Sequence, residues 1–345
     1  MNFARTSVVP EKKLTRDRAR IVSSLICWLG ALGAVFTFVL PASAVDRAAA
    51  IREAVVYLTP NSDAAKLATA ERGREFVVIE TTHNWLHVEA ILGPARVEAA
   101  IIDDEEGGEK TVTGWIQDKG VVHSSTPDGD KILYGEAADS EDQASRRHGR
   151  RGSAQDAMRL YRRVYDYFPT SPLAGQALYR AADIRWQIEK EDVQSRPSAK
   201  EKESYLRVGM DEEWMKLVEK KFPGTKWADL AAFHRIDNKL CGDWQGSSKC
   251  PDKEADIYEK YATERPTSPA AAEALYNAAW RRSALIEIYK TEEQSKKMEE
   301  SKNRAAALSQ RIISQYPQQT DWVTRAQRLI FAIQQNVPTY GNTVD

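Results

Sequence analysis

The sequence predicts a multidomain protein in which a small all-β barrel is followed by an all-α helical solenoid. Short runs of β-favouring residues separated by turns occupy positions 50–123, which is typical of a small barrel. From residue 153 onward the apolar residues recur with helical spacing, and four prolines stand at similar points of that repeat. A length of 345 residues is consistent with about two domains.

Composition and charge exclude several classes of protein. The chain has 42% hydrophobic and 29% charged residues, which is enough apolar surface for a packed core. Its 49 basic and 50 acidic residues give a net charge of -1, so the chain has no uniformly basic surface and nucleic acid is not an expected partner. Three cysteines are too few for a small disulfide-built fold.

Residues 1–44 have the features of an export leader. Six basic residues outnumber two acidic ones before position 21, residues 21–40 carry no charge, and Pro41-Ala42-Ser43-Ala44 follows with small side chains. This order is that of a secretory signal peptide. The uncharged run is also long enough to span a bilayer, so an uncleaved membrane anchor is the alternative. Both alternatives place the rest of the chain outside the cytoplasm.

The β region is placed at residues 46–124. Strands are expected at 53–58, 76–80, 85–89 and 114–116, with a short fifth one at 121–122. Turn-forming residues separate them, for example Thr59-Pro60-Asn61-Ser62. Strands this short and closely spaced predict a small barrel rather than a large open sheet.

This region resembles the bacterial SH3 (SH3b) family in the order of its motifs. The matching segments are Val56-Tyr57-Leu58-Thr59-Pro60, Gly73-Arg74-Glu75-Phe76-Val77-Val78, Asn84-Trp85-Leu86-His87-Val88 and Gly114-Trp115-Ile116. The resemblance implies an SH3-like barrel with a ligand-binding groove formed by Tyr57, Trp85 and Trp115. The alternative is that these aromatic side chains only pack in the barrel wall.

Two positions depart from the SH3b pattern in a way that bears on the ligand. Gln117 and Gly120 stand where the family has its groove proline and the tyrosine that follows. Proline-reading SH3 domains use these side chains to dock polyproline helices. Proline-rich PxxP segments are therefore not the expected ligand.

Two charged segments are expected to lie outside the packed domains. Residues 103–109 are mostly acidic and predict a solvated loop, with Ca²⁺ binding as the alternative. Residues 125–152 predict a flexible linker. The basic cluster at 146–151 either is solvated or contacts an anionic surface.

A helical repeat is expected across residues 153–340. It is marked by Pro169, Pro223, Pro266 and Pro317, with apolar or aromatic residues five and nine positions before each proline on one helix face. Each proline ends a helix, and a second helix follows it. Since neither helix buries its apolar face alone, neighbouring helix–turn–helix units are expected to stack into a curved solenoid.

These units resemble tetratricopeptide-like (TPR-like) repeats of the kind found in the periplasmic Tol-Pal coordinator and the β-barrel assembly lipoprotein. The strongest copies are residues 165–174 with 177–182 and residues 265–269 with 273–279. The resemblance implies that the concave face binds segments of partner proteins. Arg180, Arg185, Arg281 and Arg282 are the candidate partner-binding residues, and solvated helix faces with i,i+4 ion pairs are the alternative.

Export makes two of the cysteines informative. Cys241 and Cys250 flank a loop rich in glycine and serine. In an oxidising compartment such a close pair is expected to form a disulfide, and two free thiols are the alternative.

No motif for catalysis, metal binding or cofactor binding is recognisable in the sequence. His83 and His87 have no third ligand nearby, so neither a metal nor another cofactor is expected. We expect a non-enzymatic protein of the bacterial cell envelope, in the periplasm or on the outer face of the inner membrane. Its expected partners are envelope proteins or peptidoglycan peptides, and the membrane only through an uncleaved leader. The alternatives are a wall-remodelling enzyme with an unrecognised site and a purely structural spacer.

Overall fold

The computed structural model describes residues 46–92 and 110–340. The leader at 1–44 and the acidic segment at 103–109 lie outside these residues, so both expectations stay predictions. The described residues belong to one compact unit in which the strands come first and the helices follow. None of the described helices is long and apolar enough to cross a membrane.

The β region is a sheet of seven described antiparallel strands. They are β1 (Arg47–Ala50), β2 (Ala54–Tyr57), β3 (Lys66–Ala70), β4 (Glu75–Thr82), β5 (Trp85–Leu92), β6 (Lys110–Gln117) and β7 (Val121–His123). Their spatial order is β3-β2-β6-β5-β4-β1-β7, so among the described strands β3 and β7 are edges and the sheet is not closed. The all-β region is confirmed, but a closed barrel is not. The side chain of Val122 in β7 packs against the helical part rather than against β3.

The inner face of the sheet is a conventional apolar core. Phe76, Leu86, Val88 and Ile116 are fully buried there. Their positions follow the two-residue alternation of a half-buried strand, which is why β4, β5 and β6 were predictable. Gly114 is also buried in this part of the sheet. The packing leaves no room for a side chain there, since a Cβ would lie 2.7 Å from the carbonyl oxygen of Tyr57.

The expected flexible linker at 125–152 is wrong for most of its length. Helix α1 (Gly129–Ser145) occupies it and buries Leu133 and Ala137, which are four residues apart and therefore share one helix face. Both side chains join a core that also contains Ala49 of β1. The many charged residues of the whole segment concealed this apolar stripe, because the segment has the composition of a solvated linker.

Helix α2 (Ser153–Tyr167) fastens the helical part to the sheet through polar side chains. The Arg159 Nε donates to the carbonyl oxygen of Arg72 over 2.9 Å. The Arg163 Nη1 donates to the Glu75 carboxylate of β4 over 3.1 Å. Burial and polar contacts thus join the β and helical parts without an intervening flexible segment.

The helices described after α1 form four helix–turn–helix pairs, as the proline repeat predicts. The pairs are α2 with α3 (Ala174–Ser195), α4 (Glu213–Lys221) with α5 (Lys226–His234), α6 (Lys249–Glu264) with α7 (Ala271–Thr291), and α8 (Ser295–Gln315) with α9 (Thr320–Gln334). Between α3 and α4 an insertion at residues 196–212 contains two short 3-10 turns. The helical architecture is confirmed at this level.

The prolines act at the turns as expected. The residues before them leave helical geometry, with φ of -127° at Phe168 and -131° at Arg265. Ser268 stabilises the turn before the next helix, because its Oγ accepts a hydrogen bond from the backbone nitrogen of Ala270 over 3.2 Å.

Candidate functional site

The sheet brings the three aromatic residues predicted for the groove together on its outer face. Trp115 pairs across the strands with Tyr57 on one side and with His87 on the other. The rings of Tyr57 and Trp85 meet edge to face, with centroids 5.5 Å apart and planes at 86°. The rings of His87 and Trp115 are stacked at 4.8 Å. We call Tyr57, Trp85, His87 and Trp115 the aromatic face.

All four side chains of the aromatic face are half-buried, not enclosed. Their strand neighbours Leu86, Val88 and Ile116 point to the opposite side and fill the core. The aromatic rings therefore contact one another and solvent, and they are not needed to fill the interior of the sheet. Aromatic side chains that combine an apolar body with an accessible ring surface are frequent at binding interfaces.

Two exposed apolar side chains lie on the same side of the sheet as the aromatic face, Val77 in β4 and Ile91 in β5. Ile91 has 54% of its surface exposed and Val77 has 38%. Both lie on the outer side of the sheet, since Val77 pairs with Glu89 and Glu89 stands between His87 and Ile91 in β5. The exposed Glu89 separates these two apolar side chains from His87.

His87 belongs to the aromatic face, a role that the sequence did not reveal. As half of a histidine pair with His83 it was expected to be solvated, with no metal bound. His83 lies instead in the turn between β4 and β5, with φ of 54°. Within residues 46–92 and 110–340 no group of three side chains is arranged to hold a metal ion.

The structure describes both positions that depart from the SH3b pattern, Gln117 and Gly120. Gln117 is exposed and pairs with Trp85 at the end of β5, so it borders the aromatic face. Gly120 has φ of 82° and its carbonyl accepts a hydrogen bond from the backbone of Ile51. This left-handed geometry favours glycine over the family's tyrosine.

Two of the four candidate partner-binding arginines are buried. Arg185 is only 7% exposed and its guanidinium contacts Glu189 at 2.8 Å and Asp211 at 2.5 Å. Arg281 is 9% exposed and donates through Nε to Glu254 over 2.7 Å. Their charges are thus compensated within the chain, which favours a structural role.

The other two arginines are half-buried and also ion-paired. Arg180 contacts Asp183 at 2.6 Å and also pairs with Glu141 of α1. Arg282 pairs with two carboxylates of the neighbouring helix, Asp252 and Asp256. The sequence could not reveal these pairs, since several of the partners lie on other elements.

A charged groove of about 1250 Å³ lies between α6 and α8, the first helices of the last two repeat units, with α7 contributing Arg282 and Tyr289. The α6 side is mainly acidic and the α8 side mainly basic, and the lining includes Asp256, Glu264, Lys296, Lys297 and Glu300. The last three of these are exposed. This groove is open enough to receive a segment of another protein.

The predicted disulfide is present, with an S–S distance of 2.13 Å between Cys241 and Cys250. Its loop buries Trp244 against Trp280 at a ring distance of 5.4 Å. The buried Glu254 carboxylate accepts hydrogen bonds from the Cys241 backbone nitrogen at 2.8 Å and from the Trp244 indole at 3.3 Å. The bridge therefore holds a packed loop in place.

A polar cluster joins the first two repeat units. The His234 Nε2 lies 3.1 Å from the Tyr179 hydroxyl and 3.3 Å from the Asp183 carboxylate. Burial lowers the pKa of His234 below its ordinary value, and the neighbouring Asp183 acts in the opposite direction. Asp183 is also held by Arg180 and by Gln187. These contacts stabilise the packing of α3 on α5.

No protein-family model matches the chain, and a search of curated proteins likewise finds no match.

Proposed function

We propose that this protein is a non-enzymatic binding and scaffold protein of the bacterial cell envelope. In this proposal an SH3b-like module binds peptidoglycan peptides through the aromatic face, and a TPR-like solenoid holds an envelope protein. The observation that carries the proposal is the meeting of Tyr57, Trp85 and Trp115 on the accessible side of the sheet. Residues from three strands converge there without being required by the core.

The chemistry of the aromatic face suits a peptide better than a charged polymer. Stacked and perpendicular rings offer apolar surface and ring faces for aliphatic or cationic side chains. The exposed Gln117 and Glu89 at its margin supply hydrogen-bonding groups. A short peptide with apolar and amine-bearing side chains, as in peptidoglycan stems, would satisfy both kinds of contact.

Co-sedimentation of the full chain with purified peptidoglycan tests this part of the proposal. The unmodified protein is expected to pellet with the polymer, and Trp85→Ala is expected to remain largely in the supernatant. Tyr205→Ala is the matched control, because Tyr205 is an aromatic residue in the insertion with 80% of its surface exposed. Equal sedimentation of Trp85→Ala and the control variant, with folding verified by circular dichroism, would argue against peptide binding at this face.

The groove between α6 and α8 supports the second part of the proposal. A photo-crosslinking amino acid at Glu300, which is exposed in the groove, is expected to capture a discrete envelope protein. The same group at Arg328, exposed on α9 away from the groove lining, is the control. Identical product patterns at the two positions would contradict a partner site in the groove. A purely structural spacer would give neither pelleting nor a groove-specific product.

A further inference from the structure

A second cavity, of about 450 Å³, lies beside the disulfide loop. It is open to solvent and is bounded by the end of α3, by the 196–212 insertion and by residues 237–243. Its lining carries three positively charged side chains, Lys190, Lys200 and Arg207. Val193 and Met210, both more than nine-tenths buried, form an apolar part of the wall. This cavity is separate from the aromatic face and from the groove between α6 and α8.

Backbone contacts hold the walls of this cavity together. The Gly242 nitrogen donates to the carbonyl oxygen of Glu201 over 3.1 Å, and the Asp243 nitrogen donates to that of Lys200 over 3.4 Å. A side chain at Gly242 would place its Cβ only 2.4 Å from the Glu201 oxygen, so the close approach requires glycine. Cys241 is bonded to Cys250, which fixes the loop on the other side.

Arg207 differs from most of the half-buried arginines of the helical part. Its Nη1 donates to the carbonyl oxygen of Leu240 over 2.8 Å, but no carboxylate pairs with it among the described residues. Its Nε is buried and has no hydrogen-bond partner there. By contrast, the half-buried Arg235 and the buried Arg185 are each paired with two carboxylates. A partly desolvated guanidinium without a counter-charge is costly, and it favours binding of an anion.

The other charges around the cavity leave it net positive. Lys190 is neutralised by Asp237 at 2.7 Å. Lys200 is exposed and has no carboxylate partner within the described part of the chain. Asp243 is exposed to solvent and its Oδ1 accepts a hydrogen bond from the Gln245 nitrogen over 2.9 Å. The uncompensated cations are therefore Lys200 and Arg207, opposed only by a solvated aspartate.

We propose that this cavity binds a small oxyanion, a carboxylate or a phosphate, between Lys200 and Arg207. The terminal nitrogens of the guanidinium can donate charge-assisted hydrogen bonds to such a group, and the ammonium adds a compact second charge. An apolar group attached to the oxyanion would contact Val193 and Met210. The volume is within the range of small-molecule sites. This site does not depend on the proposed binding of peptidoglycan or of a protein partner.

Ligand-observed NMR of the full chain tests the proposal with two probes at constant ionic strength. Inorganic phosphate is followed by its phosphorus signal, and hexanoate, a carboxylate with an apolar chain, by its proton signals. Saturable binding of at least one probe is expected, and the responding probe identifies the class of oxyanion. Arg207→Gln and Lys200→Gln are each expected to weaken it by about tenfold or more, since each removes one charge-assisted hydrogen bond.

Arg196→Gln is the matched control, because Arg196 lies in the same insertion but pairs with Asp192 at 2.6 Å and does not line the cavity. It is expected to bind the probe as the unmodified chain does. The proposal is overturned if neither probe binds saturably, or if Arg207→Gln binds as well as the control. Should Arg207→Gln fail to fold, Lys200→Gln decides, because Lys200 is exposed and contributes little to packing.

Discussion

The phenol of Tyr167 donates a hydrogen bond of 2.9 Å to the backbone carbonyl of Ala48, although 119 residues separate them along the chain. Tyr167 ends α2 and Ala48 lies in β1, so this bond joins the helical part to the sheet. Both residues are buried. Burial raises the pKa of Tyr167, so the phenol stays protonated and remains a donor at physiological pH.

Replacing this donor should weaken the junction measurably. Tyr167→Phe keeps the ring and leaves the Ala48 carbonyl buried without its partner, so we expect a loss of about 1–2 kcal/mol in the free energy of unfolding. Urea denaturation followed by circular dichroism provides the measurement. Tyr205→Phe, at an exposed position, should unfold like the unmodified chain. A Tyr167→Phe midpoint equal to that of the control would mean that the bond contributes nothing.

Leu133 tests whether α1 is an integral part of the fold. This side chain is fully buried, whereas the adjacent Ile132 is 39% exposed. Leu133→Ala should cost about 2–5 kcal/mol because it leaves a cavity between α1 and its neighbours. Ile132→Ala should cost much less. Similar small losses for the two variants in urea denaturation would restore the flexible-linker interpretation of residues 125–152.

The disulfide is expected to contribute to stability through its short loop. Its two cysteines are nine residues apart, and closing a loop of that length should stabilise the fold by about 2–3 kcal/mol. The double substitution of Cys241 and Cys250 by serine should lower the unfolding free energy by that amount. It should also shift the fluorescence of the buried Trp244 toward that of a solvated indole. An unchanged denaturation midpoint would show that the loop is held by its packing and by Glu254 alone.

His234 predicts a pH dependence of stability. Because burial lowers its pKa in the folded state, the unfolded chain takes up the proton more readily near the ordinary value of 6.5. Its contribution to stability is therefore fully present above that pH and is lost as the pH falls below it. Each unit by which the pKa is lowered corresponds to about 1.4 kcal/mol. Among the surrounding charges, Asp183 and Asp237 raise this pKa, whereas Lys190 and Arg180 lower it.

The measurement is the unfolding free energy between pH 7.5 and 5, compared with that of His234→Gln. The glutamine can still bond the Tyr179 hydroxyl but does not titrate. The variant should therefore lose less stability than the unmodified chain as the pH falls. Parallel profiles for the two proteins would show that other groups cause the acid sensitivity.

The helical half was largely predictable because its signals are local. A proline that ends a helix and a stripe of apolar residues four apart are visible within about 20 residues of sequence. All four predicted helix–turn–helix pairs are present. Strands β2, β4, β5, β6 and β7 were predictable for the same reason. The residues of β1 (Arg47–Ala50) and β3 (Lys66–Ala70) were not, since their alanines and lysine do not favour strands locally and the pairing depends on distant partners.

The candidate sites also differ in how far their contacts depend on residues that are distant in sequence. Three residues of the aromatic face were named from the resemblance to the SH3b family. The place of His87 beside Trp115 could not be named, since it depends on the register of the strands. The roles of Arg185 and Arg281 could not be anticipated. From sequence alone, an arginine on a helix is expected to be solvated, because a carboxylate partner on another helix is not visible. Glu254 and Arg281 are an example, since 27 residues separate them along the chain.

The central claim is that the aromatic face binds a peptidoglycan peptide. Isothermal titration calorimetry of the full chain with soluble peptidoglycan stem peptides tests this claim most directly. The unmodified protein should bind saturably, and Trp115→Ala should bind about tenfold or more weakly, as expected for an aromatic residue at the centre of an interface. Tyr205→Ala should bind like the unmodified protein. The absence of saturable binding to the unmodified protein, or equal affinity in a correctly folded Trp115→Ala, would contradict the claim.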